Sequence, residues 1–415
     1  MTATDSAPSW RARAAAAVAA DASTGSKRPG ALYGASDAPD APLHYTRAVG
    51  CRVDTPDGRT LVDCTSALGA VALGYADPEV TTAVCAAARA GPASGLTSTL
   101  EPALAERLAA TVPCAERALF LKSGAEATSA AVRLARTATG RDVVLASGYF
   151  GWHDWASDAG TRGVPAGARE SVVAFARDDV ADLARAVDAV GPDRVAAIFV
   201  EPVVERLPDP AWIAALRATA TRIGAVLAFD EIKTAFRLAP GGYQTLAGVV
   251  PDLAVVGKAL ANGYPLAAVV GRRDVLDAAR QTWISSTLAS EATALAAAHA
   301  VLDRHAAADV CGALASRGRR LRDAVEAARA DADVAACDIA GLDAMWFVRF
   351  GDGPHARAAA REGAFLRAAR DCGVLFKRGA YQYAMLAHDD AAVRLVGEAA
   401  AAGFVALRAL DASDA

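Results

Sequence analysis

Residues 225–271 of the chain read AVLAFDEIKTAFRLAPGGYQTLAGVVPDLAVVGKALANGYPLAAVVG. This segment contains three short apolar runs, AVLAFD (225–230), LAVVG (253–257) and AAVVG (267–271). Parallel strands that are covered by helices on both sides read in this way, because both of their faces are buried. Together with three further runs upstream, these runs predict an α/β fold with a mostly parallel sheet flanked by Ala-rich helices. The three upstream runs are ALFL (118–121), VVLA (143–146) and VAAIFV (195–200).

The two ends of the chain predict a second, smaller domain. The segment AVGCRVDTPDGRTLVD (48–63) alternates around a D-G turn, which indicates a β-hairpin. From residue 339 onward, strand-like pieces alternate with helices, as is typical of an α+β domain; the pieces are AMWFVRF (344–350), GVLFKR (373–378) and YAMLAH (383–388). We therefore predict a leader with an N-terminal helix (1–27), an N-terminal part of the small domain (28–77), a large domain (78–310) and a C-terminal part of the small domain (311–415).

The overall composition excludes several classes of protein. The chain has 415 residues, of which 53% are hydrophobic and 22% charged, and its formal net charge is −4. No run reaches the roughly 18 apolar residues of a transmembrane helix, and the charge balance offers no basic surface for nucleic acid. The seven cysteines form no C-x-x-C pair, so neither a disulfide framework nor a metal site is predicted. Residues 1–23 lack the Leu-rich core of a secretory signal, which favours a cytoplasmic location.

Lysine is rare in this chain. Arginine serves equally well for solubility, but it keeps its proton and therefore cannot act as an amine nucleophile or base. Each lysine is thus a candidate for catalysis, the alternative being a surface residue without a special role. The five lysines are Lys27, Lys122, Lys233, Lys258 and Lys377.

Polar groups directly follow several predicted strands, at the edge where open parallel sheets bind their ligands. After ALFL, the residues Ser123, Gly124 and Ala125 open a predicted helix whose free N–H groups suit a phosphate. An ordinary helix cap made by Ser123 and Glu126 explains the same residues without any ligand. After VVLA, Tyr149 belongs to an aromatic cluster that would either stack on a flat ring or fill the core.

Acidic residues and a lysine follow the remaining strands. Glu201 comes directly after VAAIFV, Asp230 ends AVLAFD, and Lys258 follows LAVVG. A carboxylate in this position is costly unless a cation or a strong donor meets it. One cofactor, pyridoxal 5′-phosphate (PLP), needs nearly all of these groups: a phosphate anchor, an aromatic ring to stack on, an acid at its ring nitrogen and a lysine for an imine. The sequence therefore predicts a PLP site.

The same motifs resemble those of a known family. The segment from Leu227 to Gly271 is similar to the class III aminotransferases of fold type I, and within them to the glutamate-1-semialdehyde aminomutase-like branch. The resemblance covers almost the whole chain. It implies a mostly parallel central sheet flanked by helices, with a smaller α+β domain built from the N- and C-terminal segments. The other matching motifs are SGAEATSAAVRLART (123–137), GYFGWHDW (148–155), FVEPVV (199–204), SSTLASEATALAAA (285–298) and GVLFKRGAYQYAMLAH (373–388).

The resemblance also implies roles for individual residues. Lys258 would form the Schiff base with the cofactor, and Asp230 would pair with the pyridinium nitrogen. Thr287 would reach the cofactor phosphate of a partner subunit, which implies a homodimer with shared active sites. The phosphate would be bound by Ser123, Gly124 and Ala125. The two faces of the cofactor ring would be contacted by Tyr149 and Ile232, and Glu201 would be an acid near the cofactor.

Three features depart from the family pattern. Glu291 stands where many members have Asn, and it would place a carboxylate either near the cofactor phosphate or at the dimer interface. Lys233 stands where several relatives have a polar or Met side chain near the ring's phenolic oxygen, and we favour a salt bridge to a neighbour such as Glu231 or Glu201 over a catalytic role. The stretch AYQYAM (380–385) contains no arginine, although many members bind the substrate carboxylate there. This loss favours the aminomutase-like branch.

Two reactions are compatible with these residues. An aminotransferase would move an amino group between a small amino compound and a carbonyl acceptor, with Lys258 carrying the proton. An aminomutase or a racemase would return the amino group or the proton to the same molecule. A binding protein without catalysis would have lost Lys258 or Asp230, and both are present. We predict the aminotransferase, with a small-molecule amino substrate and without a metal, nucleic acid or membrane partner.

Overall fold

The computed structural model of the protein describes residues 9–34, 41–158, 160–334, 337–351 and 355–413. Contacts divide the chain into two units. The sheet unit comprises Gly69–Ala72 and Pro78–Ala313. The terminal unit comprises Met1–Leu68, Leu73–Asp77 and Leu314–Ala415. The domain boundaries after residues 27, 77 and 310 stay a prediction.

The described residues form helices and strands along the whole chain. The strands are β1 (Arg47–Val49), β2 (Arg52–Asp54), β3 (Thr60–Asp63), β4 (Arg117–Leu121), β5 (Val143–Ser147), β6 (Val172–Ala174), β7 (Val195–Val200), β8 (Val226–Asp230), β9 (Leu253–Val256), β10 (Ala267–Gly271), β11 (Asp338–Leu342), β12 (Met345–Arg349), β13 (Val374–Leu375) and β14 (Gln382–Tyr383). The α-helices are α1 (Trp10–Ala17), α2 (Pro29–Tyr33), α3 (Ser66–Gly69), α4 (Pro78–Ala90), α5 (Leu100–Thr111), α6 (Gly124–Thr139), α7 (Val180–Val190), α8 (Pro210–Ile223), α9 (Tyr243–Ala247), α10 (Arg273–Leu276), α11 (Ala292–Ala307), α12 (Val310–Asp331), α13 (His355–Asp371) and α14 (Asp390–Ser413). Among the described residues, no helix combines the length and the apolar composition that a membrane crossing requires.

The sheet unit is built on a seven-stranded sheet with the order β4-β10-β9-β8-β7-β5-β6. The strands from β9 to β6 in this order run parallel to their neighbours. All six residues of β7 and all five of β8 are buried, as expected for central strands with helices on both faces. The predicted α/β fold with a mostly parallel sheet is confirmed.

One predicted strand runs in the opposite direction to that expected. The run AAVVG forms β10, but β10 pairs antiparallel with both β9 and β4. Residues 257–266, which connect β9 to β10, form only a short 3₁₀ turn and loop. A parallel neighbour needs a crossover of about a dozen residues or more, usually a helix. The length of the connection therefore dictates the antiparallel pairing, and the expectation of a parallel strand here was wrong.

Helix α6 covers the sheet and forms much of the core. Leu134 and Ala131 on this helix pack with Phe199 of β7 and Val255 of β9. The helix ends at Gly140, whose φ of +66° is the left-handed conformation of a C-terminal cap. Because α6 begins directly after β4, its N-terminus lies at the carboxyl end of that strand.

The terminal unit contains two small sheets, with the orders β1-β2-β3-β13 and β11-β12-β14. Strands β2 and β3 pair antiparallel across the D-G turn, so the predicted hairpin is confirmed. The run YAMLAH was predicted to be a strand, but β14 ends at Tyr383. Beyond it, the N–H of Met385 donates to Nδ1 of His388 at 2.9 Å. This turn uses the backbone group that would have continued the strand.

Candidate active site

Three ionisable side chains lie at the carboxyl ends of three neighbouring strands. Because β7, β8 and β9 are parallel, these ends share one edge of the sheet. Glu201 directly follows β7, Asp230 is the last residue of β8, and Lys258 follows β9 after Gly257. All three line one cavity of about 420 Å³. The structure therefore brings these predicted site residues together.

The carboxyl group of Asp230 is buried in surroundings that disfavour its ionisation. Loss of hydration raises the pKa of Asp230 to about 7, and the negative charge of Glu201 acts in the same direction. The N–H of Ile232 donates to Oδ1 of Asp230 at 2.9 Å and partly offsets this effect. A ligand that brings a positive charge to this carboxyl group would lower its pKa again.

Lys258 combines a reactive side chain with an unusual backbone conformation. Loss of hydration lowers the pKa of its amine to about 8, and the cation Lys233 acts in the same direction. The lowered pKa increases the fraction of neutral amine near neutral pH, and the neutral amine is the form that attacks a carbonyl group. The φ angle of Lys258 is +47°, in the left-handed region where a long side chain is strained.

Lys233 forms an ion pair inside the same cavity. Its Nζ lies 2.5 Å from Oε1 of Glu201, and both side chains are largely buried. Oε2 of Glu201 accepts a hydrogen bond from the N–H of Tyr149 at 3.3 Å. Glu231, the other predicted partner, instead accepts from the N–H groups of Tyr243 and Gln244. The favoured salt bridge of Lys233 is thus confirmed with Glu201.

The loop from β4 to α6 forms another part of the cavity wall. Ser123 caps α6, because its Oγ accepts from the N–H of Glu126 while the Glu126 carboxylate accepts from the N–H of Ser123. The ordinary cap predicted as an alternative is therefore present. Ser123, Gly124 and Ala125 nevertheless line the same cavity as Lys258. Within the described chain, the N–H groups of Gly124 and Ala125 have no acceptor, so both are available to an anion.

An aromatic loop after β5 completes this side of the cavity. Tyr149 lines the cavity and is 72% exposed, whereas Phe150 is buried and its ring packs against Phe199 at a centroid distance of 4.5 Å. The hydroxyl of Thr128 on α6 donates to the carbonyl of Phe150 at 2.6 Å. The loop is therefore fixed to the helix, and the ring of Tyr149 remains exposed on the cavity side, where it can contact a ligand.

Replacing Gly148 with alanine is expected to displace this loop. Gly148 has a φ of +140°, and a Cβ atom there would lie 2.5 Å from Cβ of Glu201. Relieving that contact moves Tyr149 away from Glu201, so we expect about 1–3 kcal/mol less unfolding free energy and weaker PLP binding. Chemical denaturation and a PLP titration measure the two effects.

Gly163 provides the matched control for this substitution. It also has a positive φ, +88°, but a Cβ atom there would meet nothing within 4 Å. Gly163→Ala should therefore show the backbone strain without the loss of PLP affinity. Equal PLP affinities for Gly148→Ala and the wild type would show that the contact with Glu201 does not position the loop.

The cavity lining fits PLP. The N–H groups of Gly124 and Ala125, which have no acceptor among the described residues, suit a phosphate, and the buried carboxyl group of Asp230 suits a protonated ring nitrogen. Ile232 packs directly on the phosphate loop, since a Cβ atom on Gly124 would lie 2.7 Å from its Cδ1. Lys258, with its lowered amine pKa, suits the aldehyde.

Comparison with known proteins identifies the family. A model of the class-III aminotransferases matches residues 33–386. The chain is also 32% identical over 395 residues to a glutamate-1-semialdehyde 2,1-aminomutase of Dechloromonas aromatica (strain RCB), covering 88% of this chain and 92% of the relative. The chain belongs to the class-III aminotransferase family. Members of this family use PLP, and this aminotransferase is therefore a PLP-dependent enzyme.

Two further relatives of this class-III aminotransferase extend the comparison. A 2′-deamino-2′-hydroxyneamine transaminase of Streptomyces kanamyceticus is 38% identical over 293 residues, covering 69% of this chain and 74% of the relative. Among solved structures, the FumI protein of Sphingopyxis sp. MTA144, determined with PLP, has a TM-score of 0.91 at 28% identity and covers 97% of each chain. The predicted fold-type I architecture is thus confirmed over nearly the whole chain.

Thr287 and Glu291 of the aminotransferase lie before helix α11 and differ in their surroundings. Thr287 is exposed and is not part of the cavity lining. Glu291 caps α11 and pairs with Lys122, whose Nζ lies 2.9 Å from Oε1 of Glu291. Because Lys122 directly precedes Ser123, Glu291 lies near the predicted phosphate loop of its own chain. The structure thereby favours the first of the two locations expected for this carboxylate.

Several cavity residues of the aminotransferase were given no role at the cofactor by reasoning from the sequence. Lys122 lines the cavity beside Ser123, and Trp152 joins Tyr149 in the wall. A further wall is formed by residues 263–266, which read GYPL and follow the turn that begins at Lys258. Proximity to Lys258 in the sequence was a usable signal for this wall. For Lys122, the signals were the scarcity of lysine and its position directly after the apolar run ALFL.

Proposed function

We propose that this class-III aminotransferase moves an amino group from a small amino compound to a carbonyl acceptor, with Lys258 as the catalytic amine. The presence of Lys258 and Asp230 in one cavity, at the ends of adjacent parallel strands, is the observation that carries the proposal. The amine pKa of about 8 supports it, because a group that takes up and releases a proton works best when its pKa lies near the operating pH.

The proposal assigns the residues that would hold PLP. Lys258 would hold the aldehyde carbon and Asp230 the ring nitrogen. When bound, PLP supplies an electrophilic carbon for amines and a ring that accepts the electron pair left by a departing proton. The remaining contacts would come from Ser123, Gly124 and Ala125 at the phosphate and from Tyr149 and Ile232 at the ring faces, with Glu201 as an acid near the cofactor.

The residues of this chain would then direct the proton. Nζ of Lys258 would take the proton from the amine-bearing carbon of the donor and later deliver a proton to the carbonyl carbon of the acceptor. The donor carbon is oxidised to a carbonyl and the acceptor carbon is reduced to an amine, so no external oxidant is needed. Lys233 and Glu201 form an ion pair in the same cavity, and Lys258 is the group to which the proposal assigns the proton.

An intramolecular isomerase is the second candidate function. The aminomutase relative aligns with 88% of this chain, and the absence of arginine from the stretch AYQYAM also favours that branch. Arg378, just upstream, is held within the terminal unit by Glu362 at 3.4 Å. An aminomutase or a racemase would use the same lysine and acid, so the two functions differ in where the amino group finishes.

Isotope transfer is expected to decide between these functions. The protein, loaded with PLP, is incubated with ¹⁵N-labelled amino acids or primary amines and with unlabelled pyruvate as the acceptor. We expect ¹⁵N in the alanine that forms, together with an equal amount of carbonyl product from the donor, both measured by mass spectrometry. Label that stays on the donor's carbon skeleton, at a neighbouring carbon or with inverted configuration, would instead establish the isomerase.

The proposal includes a homodimer in which Thr287 acts on the partner's cofactor phosphate. The exposure of Thr287 and its location outside the cavity of its own chain support this arrangement. Sedimentation of the purified protein tests the oligomeric state. The cytoplasmic location stays a prediction from the sequence.

A further inference from the structure

We propose that Lys122 is an additional binding residue for the cofactor phosphate, and that Glu291 limits how much of its positive charge acts on that phosphate. The inference rests on the proposed PLP site, and it assigns both residues a function that the family resemblance does not. It starts from one contact, the ion pair of 2.9 Å between Nζ of Lys122 and Oε1 of Glu291.

The location of Lys122 puts its charge at the phosphate loop. It is the last residue before the cap of α6, and it lines the cavity together with Ser123, Gly124 and Ala125. Its side chain is only 17% exposed, so its charge is screened less by water than that of a surface lysine. An ammonium group carries three N–H donors. Among the described residues, Nζ of Lys122 bonds to Glu291 alone, which leaves donors for an anion.

Glu291 is held in place independently of Lys122. Its Oε2 accepts from both the N–H and the hydroxyl of Thr293, at 2.9 and 2.6 Å, and its Oε1 accepts from the N–H of Ala294 at 3.0 Å. Although burial opposes it, hydrogen bonds from Thr293 and Lys122 lower the pKa of Glu291 to about 2. This carboxylate is therefore ionised throughout the working pH range, and the pair with Lys122 has no net charge.

A cation at the phosphate loop would offset a negative charge that is already present there. The carboxylate of Glu126 lies at the same helix end, where it accepts from the N–H groups of Lys122 and Ser123 at 3.1 and 2.8 Å. A phosphate bound to Gly124 and Ala125 would be repelled by this negative charge. In the same cavity, Lys233 is neutralised by Glu201. Lys122 is likewise paired, with Glu291, but it is the lysine that directly precedes the phosphate loop.

A purely structural role for the pair predicts a different outcome. If the pair only fastened the β4–α6 loop to helix α11, then removing either partner would loosen the loop and weaken PLP binding. In the electrostatic role, the two removals act in opposite directions. Loss of Lys122 leaves two carboxylates near the phosphate, whereas loss of the Glu291 charge frees the ammonium for it.

The test compares PLP with pyridoxal, which lacks the phosphate, on the full-length protein. Lys122→Met is expected to weaken PLP binding about 10-fold while changing pyridoxal binding less than about 2-fold. Glu291→Asn keeps a good helix cap without the charge and is expected to strengthen PLP binding about 3-fold. Dissociation constants come from the quenching of protein fluorescence, and circular dichroism checks that each variant is folded.

Lys27→Met serves as the matched control, because it removes an exposed lysine that is not part of the cavity lining and should stay within about 2-fold of the wild type for both ligands. Weaker PLP binding by both Lys122→Met and Glu291→Asn, or equal losses for PLP and pyridoxal, would overturn the inference. A wild-type protein that bound neither ligand would instead contradict the proposed PLP site itself. The two failures are therefore distinguishable.

Discussion

Replacing Lys258 with alanine is expected to reduce turnover by about 10⁴-fold or more, because the substitution removes both the amine that holds the aldehyde and the proton carrier. The long-wavelength absorbance that the wild-type protein and PLP produce together should also disappear. The fold should persist, since Lys258 lies in the short turn beyond β9 and its left-handed backbone is no more strained in alanine than in lysine. Turnover assays, absorbance spectra and thermal unfolding measure the three effects.

Lys27→Ala is the matched control, because Lys27 is exposed and belongs to the terminal unit. It should leave turnover, absorbance and unfolding unchanged. Added methylamine offers a second check, since a small free amine restores part of the activity when only the amine is missing. A Lys258→Ala variant that kept the wild-type absorbance would show that another amine holds the cofactor.

Replacing Asp230 with asparagine is expected to reduce turnover by about 10²- to 10³-fold, because the amide supplies no negative charge opposite the ring nitrogen. PLP binding should weaken as well. The variant keeps the size and shape of the side chain. The loss is therefore electrostatic, and it is measured by turnover at saturating PLP and by the dissociation constant for PLP.

In the cofactor-free protein, we expect Asp230→Asn to affect thermal stability differently from the way it affects turnover. The pKa of Asp230 is raised in the folded state to about 7, so the folded protein binds more protons than the unfolded chain between about pH 4 and pH 7. The contribution of Asp230 to the unfolding free energy therefore falls as the pH rises through this window. At about pH 8, cofactor-free Asp230→Asn should unfold at a temperature no lower than that of the wild type.

Asp188→Asn is the control for this substitution, because it changes an exposed aspartate on helix α7 and should alter neither turnover nor PLP affinity. Wild-type turnover in Asp230→Asn would show that this carboxylate does not act on the ring. If cofactor-free Asp230→Asn unfolded at a lower temperature than the wild type at about pH 8, Asp230 would stabilise the fold instead.

The sequence predicted those parts of the site that depend on local order along the chain. Asp230 and Lys258 directly follow apolar runs, and a residue that follows a buried strand has a known place at the sheet edge. The same logic located Glu201 after β7. For all three residues, the apolar run before them was sufficient to predict that they lie close together. Their catalytic roles stay predictions.

Local sequence patterns could not predict contacts between distant segments. Lys122 and Glu291 are 169 residues apart, and no local pattern specifies which cation meets which carboxylate. The direction of β10 was missed for another reason, because a short apolar run reads the same in both orientations. Its connection to β9 carried the information, since it is too short for a crossover helix.

The left-handed backbone of Lys258 has a consequence for engineering. Glycine is the residue that adopts such a conformation without strain, so a directed-evolution experiment that screens only for heat resistance would favour glycine at this position. The resulting protein would be more resistant to heat but catalytically inactive. A thermostabilised version of this enzyme therefore has to be selected for turnover in every round, because the substitution that best relaxes the backbone also removes the amine.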